Sequence, residues 1–339
     1  MTRSGFGRGK LILFGEHAAV HGHPAVGMPL DSGIALEWEP EPRETAASRP
    51  SAAVLSPGII LPSPTAFPEE PGDRESFEGL LHALAEHNPS AAFPRGRWHV
   101  DGRVPRAGGF GSSAALCVAL ARIALDRKGG GYDRDVHRLA NLLERRFHVT
   151  PSGIDTGMAS DDGPSAWRKK EGDVPERIPL RFPELPILYA ALPRSAPTGR
   201  TVGALSARLE SGDGEVQRMM NGLGGIAEDF IGLCTGISGE ESAEDAVFAR
   251  VVGDLANRAQ SLLATLGLST PRLDEVLEIA GRLGAVGGKL SGAGMGGAFF
   301  LIAPDEDVRD ELAGELPRRL ADRGIVPSFP PTPLAWPER

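Results

Sequence analysis

The chain of 339 residues is 41 % hydrophobic and 24 % charged, a balance that excludes disorder throughout and provides for one large or two moderate globular domains. Its formal net charge of −9, with no basic run to offset it, excludes a nucleic-acid partner. Cys117 and Cys234 stand far apart among small and apolar residues, which points away from a disulfide framework or thiolate metal site and toward a reducing cytoplasm.

From the N-terminus, residues 8–20 read as a buried strand entering a turn at Gly15. The apolar run Leu11 to Phe14 is too short for a signal-peptide core or a membrane span, so no membrane partner is expected. A second strand is predicted over 33–38. The stretch 40–72, rich in proline, serine and charge, reads as exposed loops with at most one short strand. Residues 75–86 repeat Phe77, Leu80, Leu81, Leu84 and Ala85 at helical spacing, Trp98 to Val100 is a strand candidate, and a mostly apolar helix begins near Ala114. A helix over 133–147 puts Val136, Leu139, Ala140, Leu143 and Phe147 on one face, with Glu144 at its polar boundary. A domain boundary is expected between Glu184 and Arg200, around the strand candidate "LPILYAALPR". Beyond it, helical patterns over 201–210, 216–233 and 246–266 precede a strand, a glycine-rich loop and a strand over 297–302, and no internal repeat is present.

Four stretches carry candidate chemistry. In "GGFGSSAA", Gly108 to Ala115, glycines let backbone amides converge on an anion while serines stand where a helix begins; the same pattern also fits a serine-capped buried helix after a flexible turn. In "GGKLSGAGMGGAFF", Leu283 and Leu290 hold the places where a P-loop needs glycine and Ser/Thr, leaving a glycine loop over 292–297 that either approaches a phosphate or simply connects two strands. Glu144 and Asp155 offer a carboxylate for a magnesium ion and another for a hydroxyl proton, unless each is merely solvated. His17 and His21 have helical spacing, but Glu16 precedes His17 and the zinc-protease order is absent, so these histidines belong to the surface or to a substrate pocket. Lysine is scarce: Lys10, Lys128, Lys169, Lys170 and Lys289 are the whole complement.

Together these stretches resemble the GHMP small-molecule kinases. "GKLILFGEHAAVHGHPA" is similar to the first motif in its mevalonate kinase version, "PRAGGFGSSAA" to the second and "KLSGAGMGG" to the third. Glu144 also precedes the aspartate of "PSGID", Asp155, by the interval usual in the mevalonate kinase branch. The resemblance implies an α+β, two-domain fold, with an N-terminal ribosomal-protein-S5-like domain over 1–185, a ferredoxin-like C-terminal domain over 186–339 and the active site between them. It implies ATP as co-substrate, Mg²⁺ as cofactor, a small-molecule acceptor and a homodimer; the activity implied is phosphorylation of the 5-hydroxyl of mevalonate in isoprenoid-precursor synthesis.

By the same resemblance Asp155 is the base or orienting carboxylate and Lys10 stabilises charge on the transferred group. Glu144 and Ser113 ligate Mg²⁺. Pro105, Gly108, Gly109, Phe110, Gly111, Ser112 and Ser113, with Gly292 and Gly294, wrap the nucleotide, while Glu16, His17, His148 and Thr198 lie on the acceptor side. Phe110, Ser291, Met295 and Thr156 depart from the usual motif residues. The alternatives are a GHMP kinase for phosphomevalonate, whose extra charge Arg106, Arg194 or Arg200 would meet, or for a sugar or homoserine, and a non-catalytic nucleotide sensor on the same scaffold. The Arg-x-Asn stretch usual in galactokinases is missing, and a sensor would need neither Lys10 nor Asp155.

Overall fold

Two long strands organise the N-terminal half, and the glycines in the first decide how closely a helix can lie on it. β1 (Arg3–Phe14) pairs antiparallel with β2 (Ala25–Pro40) along nearly its whole length. The other edge of β2 is shared by β4 (Gly96–Gly102) and β5 (Ser165–Arg168); β3 (Gly58–Ile60) extends the sheet beyond β4, and β6 (Glu176–Pro179) beyond β5. The computed structural model describes residues 2–40, 58–60, 73–88, 93, 96–105, 108–195, 198–236 and 242–328. The loop reading of 41–57 and 61–72 lies outside the described residues, as does Arg106.

α1 (Asp73–His87), α2 (Ser112–Ala124), α3 (Arg134–Glu144) and the short α4 (Ile154–Ala159) complete this half. Ile34, Leu36, Trp38, Trp98 and Val100 of the sheet bury against Phe77, Leu80 and Leu84 of α1 and the apolar faces of α2 and α3. α2 lies directly on β1, because a side chain on Gly5 or Gly7 would overlap the carbonyl oxygens of Ala119 or Ala115. Alanine and cysteine at 114, 115, 117 and 119 keep the helix side of that contact thin.

The C-terminal half runs β7 (Ile187–Leu192), α5 (Thr198–Glu210), α6 (Gly214–Gly236), α7 (Ser242–Thr265), α8 (Pro271–Arg282), β8 (Gly287–Leu290), β9 (Gly297–Ile302) and α9 (Glu306–Ala321). The sheet order is β7-β9-β8, all antiparallel, and an isolated bridge from Ala191 to Ser328 continues it past β7. Counting that bridge as a vestigial fourth strand, the order 4-1-3-2 is that of a β-α-β-β-α-β unit with extra helices inserted after its first strand. β8 is an edge strand, yet its outer amides are satisfied: Gly288 N donates to Asn257 Oδ1 (3.2 Å) and Leu290 N to Gln260 Oε1 (3.0 Å), both on α7. A helix thus stands in for a neighbouring strand, which closes an edge that would otherwise be open to pairing.

The halves share one core. Leu11, Leu13, Phe14, Met28 and Leu30 of the first sheet pack with the strands of the second and with Phe230, Phe248 and Leu263 of the long helices. Ser291 fastens the ends of β8 and β1, donating to Ile12 O (2.9 Å) and accepting from Ile12 N (3.0 Å). The 133–147 helix of the sequence reading stops at Glu144, and α4, α8, α9, β5 and β6 were not foreseen. Among the described residues, no helix is long and apolar enough to cross a membrane.

Gly7→Ala forces a methyl into the Ala115 carbonyl and is expected to lower the unfolding free energy by about 1–3 kcal/mol. Urea denaturation checks it: the midpoint should fall at unchanged m-value, and an unchanged midpoint would remove the proposed backbone contact.

Candidate active site

The direction of Lys10 follows from a slip in strand register. Arg8 pairs with Gly33 and Lys10 with Pro29, so Leu30, Asp31 and Ser32 of β2 oppose Gly9 alone. Bulges of this kind re-aim the side chains beside them. The Lys10 amide donates to Phe110 O (2.9 Å), and its aliphatic stem crosses Gly111, where a Cβ would lie 2.7 Å from Lys10 Cγ. The side chain is 5 % exposed, and its ammonium ends 3.1 Å from Asp155 Oδ1. Asp155 occupies the first turn of α4, which starts at Gly153 with φ 78°, and at 41 % exposure it is the solvent-facing member of the pair.

α2 begins beside them. Its N-cap is Gly111, φ 75°, and no side chain caps the helix, so its first amides point at the glycine loop and suit an anion. The buried Phe110 turns its ring edge-on to Tyr189 of β7, with centroids 5.6 Å apart, tying this loop to the second sheet. Pro105 packs at Gly108, where a Cβ would lie 3.3 Å from Pro105 Cβ. Gly109 and Gly297 face Arg194: a Cβ on either would come within 2.9 Å and 2.8 Å of its Nη2. Burial depresses the guanidinium's proton affinity, and the Asp155 charge opposes that effect. The sequence reading held Arg194 only as a possible partner for a doubly charged acceptor.

Glu144 is not solvated. It ends α3 in contact with α2, whose small residues leave room for it, and accepts a hydrogen bond from Ser113 Oγ (2.8 Å) on Oε1. Its Oε2 is buried without a partner among the protein groups. Burial, with the nearby Asp155 charge adding, pushes the carboxyl up to about 7. A hydroxyl beside an under-coordinated carboxylate is a hard oxygen donor set, and it fits Mg²⁺. Among the described residues no three His, Cys, Asp or Glu side chains converge. A magnesium ion here would therefore draw its remaining oxygens from water and phosphate.

The glycine loop of the third motif, over 292–297 (the third glycine loop), closes the other side. A Cβ on Gly292 would lie 4.0 Å from Lys10 Nζ, while Gly294 packs on the Leu268 backbone. Met295 adopts φ 57°, a conformation that suits glycine better, and is held by Met295 N to Leu268 O (2.7 Å) and by Ser195 N to Met295 O (2.8 Å). His17, φ 59°, has its Nε2 3.2 Å from Ala293 O, and burial keeps its imidazole neutral down to about 4.

Glu16 is wholly buried. One oxygen pairs with the ammonium of Lys289, which is 0 % exposed and also donates to Leu290 O (2.7 Å); the other oxygen has no protein partner. Burial raises the Glu16 carboxyl and lowers the Lys289 ammonium, and their mutual attraction opposes both shifts. The Lys289 ammonium also lies over the Phe300 ring at 5.2 Å. This pair joins the end of β1 to β8. Its one sequence signal was the scarcity of lysine.

His148 stands 3.6 Å from Glu144 Oε1, beside the magnesium-type donors, whereas Glu16 and His17 contact the third glycine loop and the strand before it. Thr198 opens α5, and its side chain, like that of Arg200, lies outside the described residues. Lys10, Asp155, Ser113 and Glu144 thus form one cluster between the glycine loop before α2 and the glycine loop over 292–297.

Lys289→Met leaves the Glu16 charge buried and unpaired and is expected to cost about 3–5 kcal/mol, whereas Glu16→Gln combined with Lys289→Met recovers most of that loss. A double-mutant cycle in urea checks this; additive losses would mean that the two charges do not depend on one another.

Known proteins resemble the chain in both halves. Residues 76–160 match the GHMP kinases N terminal domain and residues 247–322 the GHMP kinases C terminal domain. Mevalonate kinase of Thermococcus gammatolerans is 26 % identical over 305 residues, 88 % of each chain. The crystal structure of L. major mevalonate kinase in complex with R-mevalonate superposes with a TM-score of 0.73 at 21 % identity over 97 % of each chain. The Streptococcus pneumoniae phosphomevalonate kinase superposes with a TM-score of 0.67 at 15 % identity over 96 % of this chain and 98 % of that one, so the fold is common to kinases with different acceptors. The chain matches both domains of the GHMP kinases, and mevalonate kinases are among the relatives it resembles over most of its length.

Proposed function

We propose that the protein transfers the γ-phosphoryl group of ATP to the 5-hydroxyl of mevalonate, as a cytoplasmic homodimer serving isoprenoid-precursor synthesis. The observation that carries the chemistry is the Lys10 ammonium 3.1 Å from the Asp155 carboxylate, between two glycine loops. The acceptor is supported by mevalonate kinase relatives that match across 88 % of the chain.

Phosphoryl transfer asks the protein mainly for positioning and for positive charge around the moving group. In this reading the amides at the start of α2 and the glycine loops wrap the ATP phosphates, and the Lys10 ammonium offsets charge on the transferred group. Asp155 orients the acceptor hydroxyl and takes its proton as the oxygen attacks the γ-phosphorus and the bond to the β,γ-bridging oxygen breaks, releasing ADP. Ser113 and Glu144 would hold Mg²⁺, whose charge is supplied to the phosphate oxygens. His17 serves the acceptor, and Thr198 belongs to the same side.

A second acceptor is favoured by Arg194, whose cation between the glycine loops would also suit phosphomevalonate. An ADP-release assay at fixed Mg-ATP with mevalonate, phosphomevalonate, galactose and homoserine decides between them. Turnover on mevalonate alone is expected; turnover only on another acceptor overturns the substrate assignment, and ATP binding without turnover on any overturns the kinase reading. Asp155→Asn is expected to lower kcat by about 10²–10⁴-fold while nucleotide affinity stays within a few-fold, and retained turnover would remove Asp155 from the role of base.

A further inference from the structure

One buried titratable side chain next to the site takes no part in the chemistry above. His137 lies on α3, seven positions before Glu144, and is 0 % exposed. Its Nε2 is 2.7 Å from Gly153 O and its Nδ1 is 3.2 Å from Tyr132 Oη. A carbonyl oxygen only accepts, so Nε2 carries the hydrogen; Nδ1 of the neutral ring then accepts from the tyrosine hydroxyl. The ring is walled by Trp167 and Tyr132, at centroid distances of 5.4 and 5.8 Å and steep angles, leaving little freedom to turn. Tyr132 is in turn backed by Arg177, which grips the buried Asp161 with two bonds of 2.6 and 2.7 Å.

The acceptor of the His137 bond is the significant atom. Gly153 is the N-cap of α4, and its carbonyl also takes Gly157 N (2.9 Å) and Thr156 Oγ1 (3.2 Å). α4 has six residues, too few for internal bonds to set where it points, so its direction depends on what holds its first turn. That turn carries Asp155. α3 therefore holds Glu144 at its end directly, and reaches the start of Asp155's helix through His137.

We infer that His137 is the positioning residue of Asp155: its Nε2–H bond to Gly153 O fixes the first turn of α4, and through it the carboxylate, against Lys10 and the Ser113–Glu144 pair. The anchoring follows from the geometry alone, while its effect on rate rests on the kinase reading.

Two variants separate anchoring from packing. His137→Gln keeps an amide N–H at about the reach of Nε2, whereas His137→Asn keeps a polar side chain that falls short of Gly153. With the acceptor that the wild type turns over, His137→Asn is expected to lower kcat by about 10- to 100-fold, the scale set by a 1 Å misplacement. The KM for ATP should stay within about three-fold, and His137→Gln should recover most of the rate. Equal loss in both variants, or a loss that only tracks the folded fraction measured by circular dichroism, overturns the positioning role.

Tyr132→Phe, which removes only the donor to Nδ1, serves where His137→Asn does not fold: it should lower kcat in the same sense by a smaller factor, and an unchanged kcat overturns the chain of bonds. Readouts without turnover keep this distinct from failure of the kinase reading. In wild-type protein the histidine ¹H–¹⁵N spectrum should show His137 as the Nε2–H tautomer, and amide exchange at Gly157 should quicken in His137→Asn but not in His137→Gln. An Nδ1–H tautomer, or unchanged Gly157 protection, overturns the inference.

Discussion

The close approach of backbone to backbone is the constraint on which the rest of the molecule depends. Gly5 and Gly7 let α2 lie against β1 with no side chain between them, and Gly253 and Gly287 let α7 do the same against β8. The first contact sets the N-terminus of α2 beside Lys10; the second sets the third glycine loop opposite it. A side chain at these positions would need the helix to retreat, and interiors packed at crystal density have no slack to absorb the movement.

Given those seats, the charges in the cleft arrange themselves by burial and partner. Lys10 is almost fully buried yet faces a more exposed carboxylate, so the pair sits at the boundary where an anionic ligand would add to it. Glu144 carries a raised proton affinity because burial disfavours its charged form, and one of its oxygens has no hydrogen-bond partner among the protein groups. Lys289 and Glu16, by contrast, are sealed in the join between the halves. Buried pairs of this kind add little net stability, because desolvation offsets attraction, but they penalise any arrangement in which either charge loses its partner. The join between β1 and β8 is therefore specified more sharply than its apolar contacts alone would require.

Much of the architecture was legible in the chain. The helices over residues 73–87, 112–124 and 134–144 and the strand over 297–302 carry strong periodicity or unbroken apolar runs, and they emerged close to expectation. α8 and α9 went unread: α9 contains Pro317, and its dense charge obscures the apolar seam of Leu312, Leu316 and Leu320. Helix α4 has only six residues and no period to detect. Glu144 could not be judged from its helix because its burial comes from α2, where its partner Ser113 stands 31 residues earlier in the chain, and not from its own face.

Motif spacing by itself picked out the elements of the candidate site: a lysine on the first strand, two glycine loops, a serine at a helix start and two carboxylates in order. Those features are local, set by backbone conformations that only glycine takes easily and by capping preferences read over a few residues. Tertiary structure alone decided that Glu16 would be sealed against Lys289, that Arg194 would stand between the glycine loops, and that His137 would hold the start of α4. Each joins residues 16 to 273 positions apart, and such contacts depend on how sheets and helices stack, which sequence spacing does not encode.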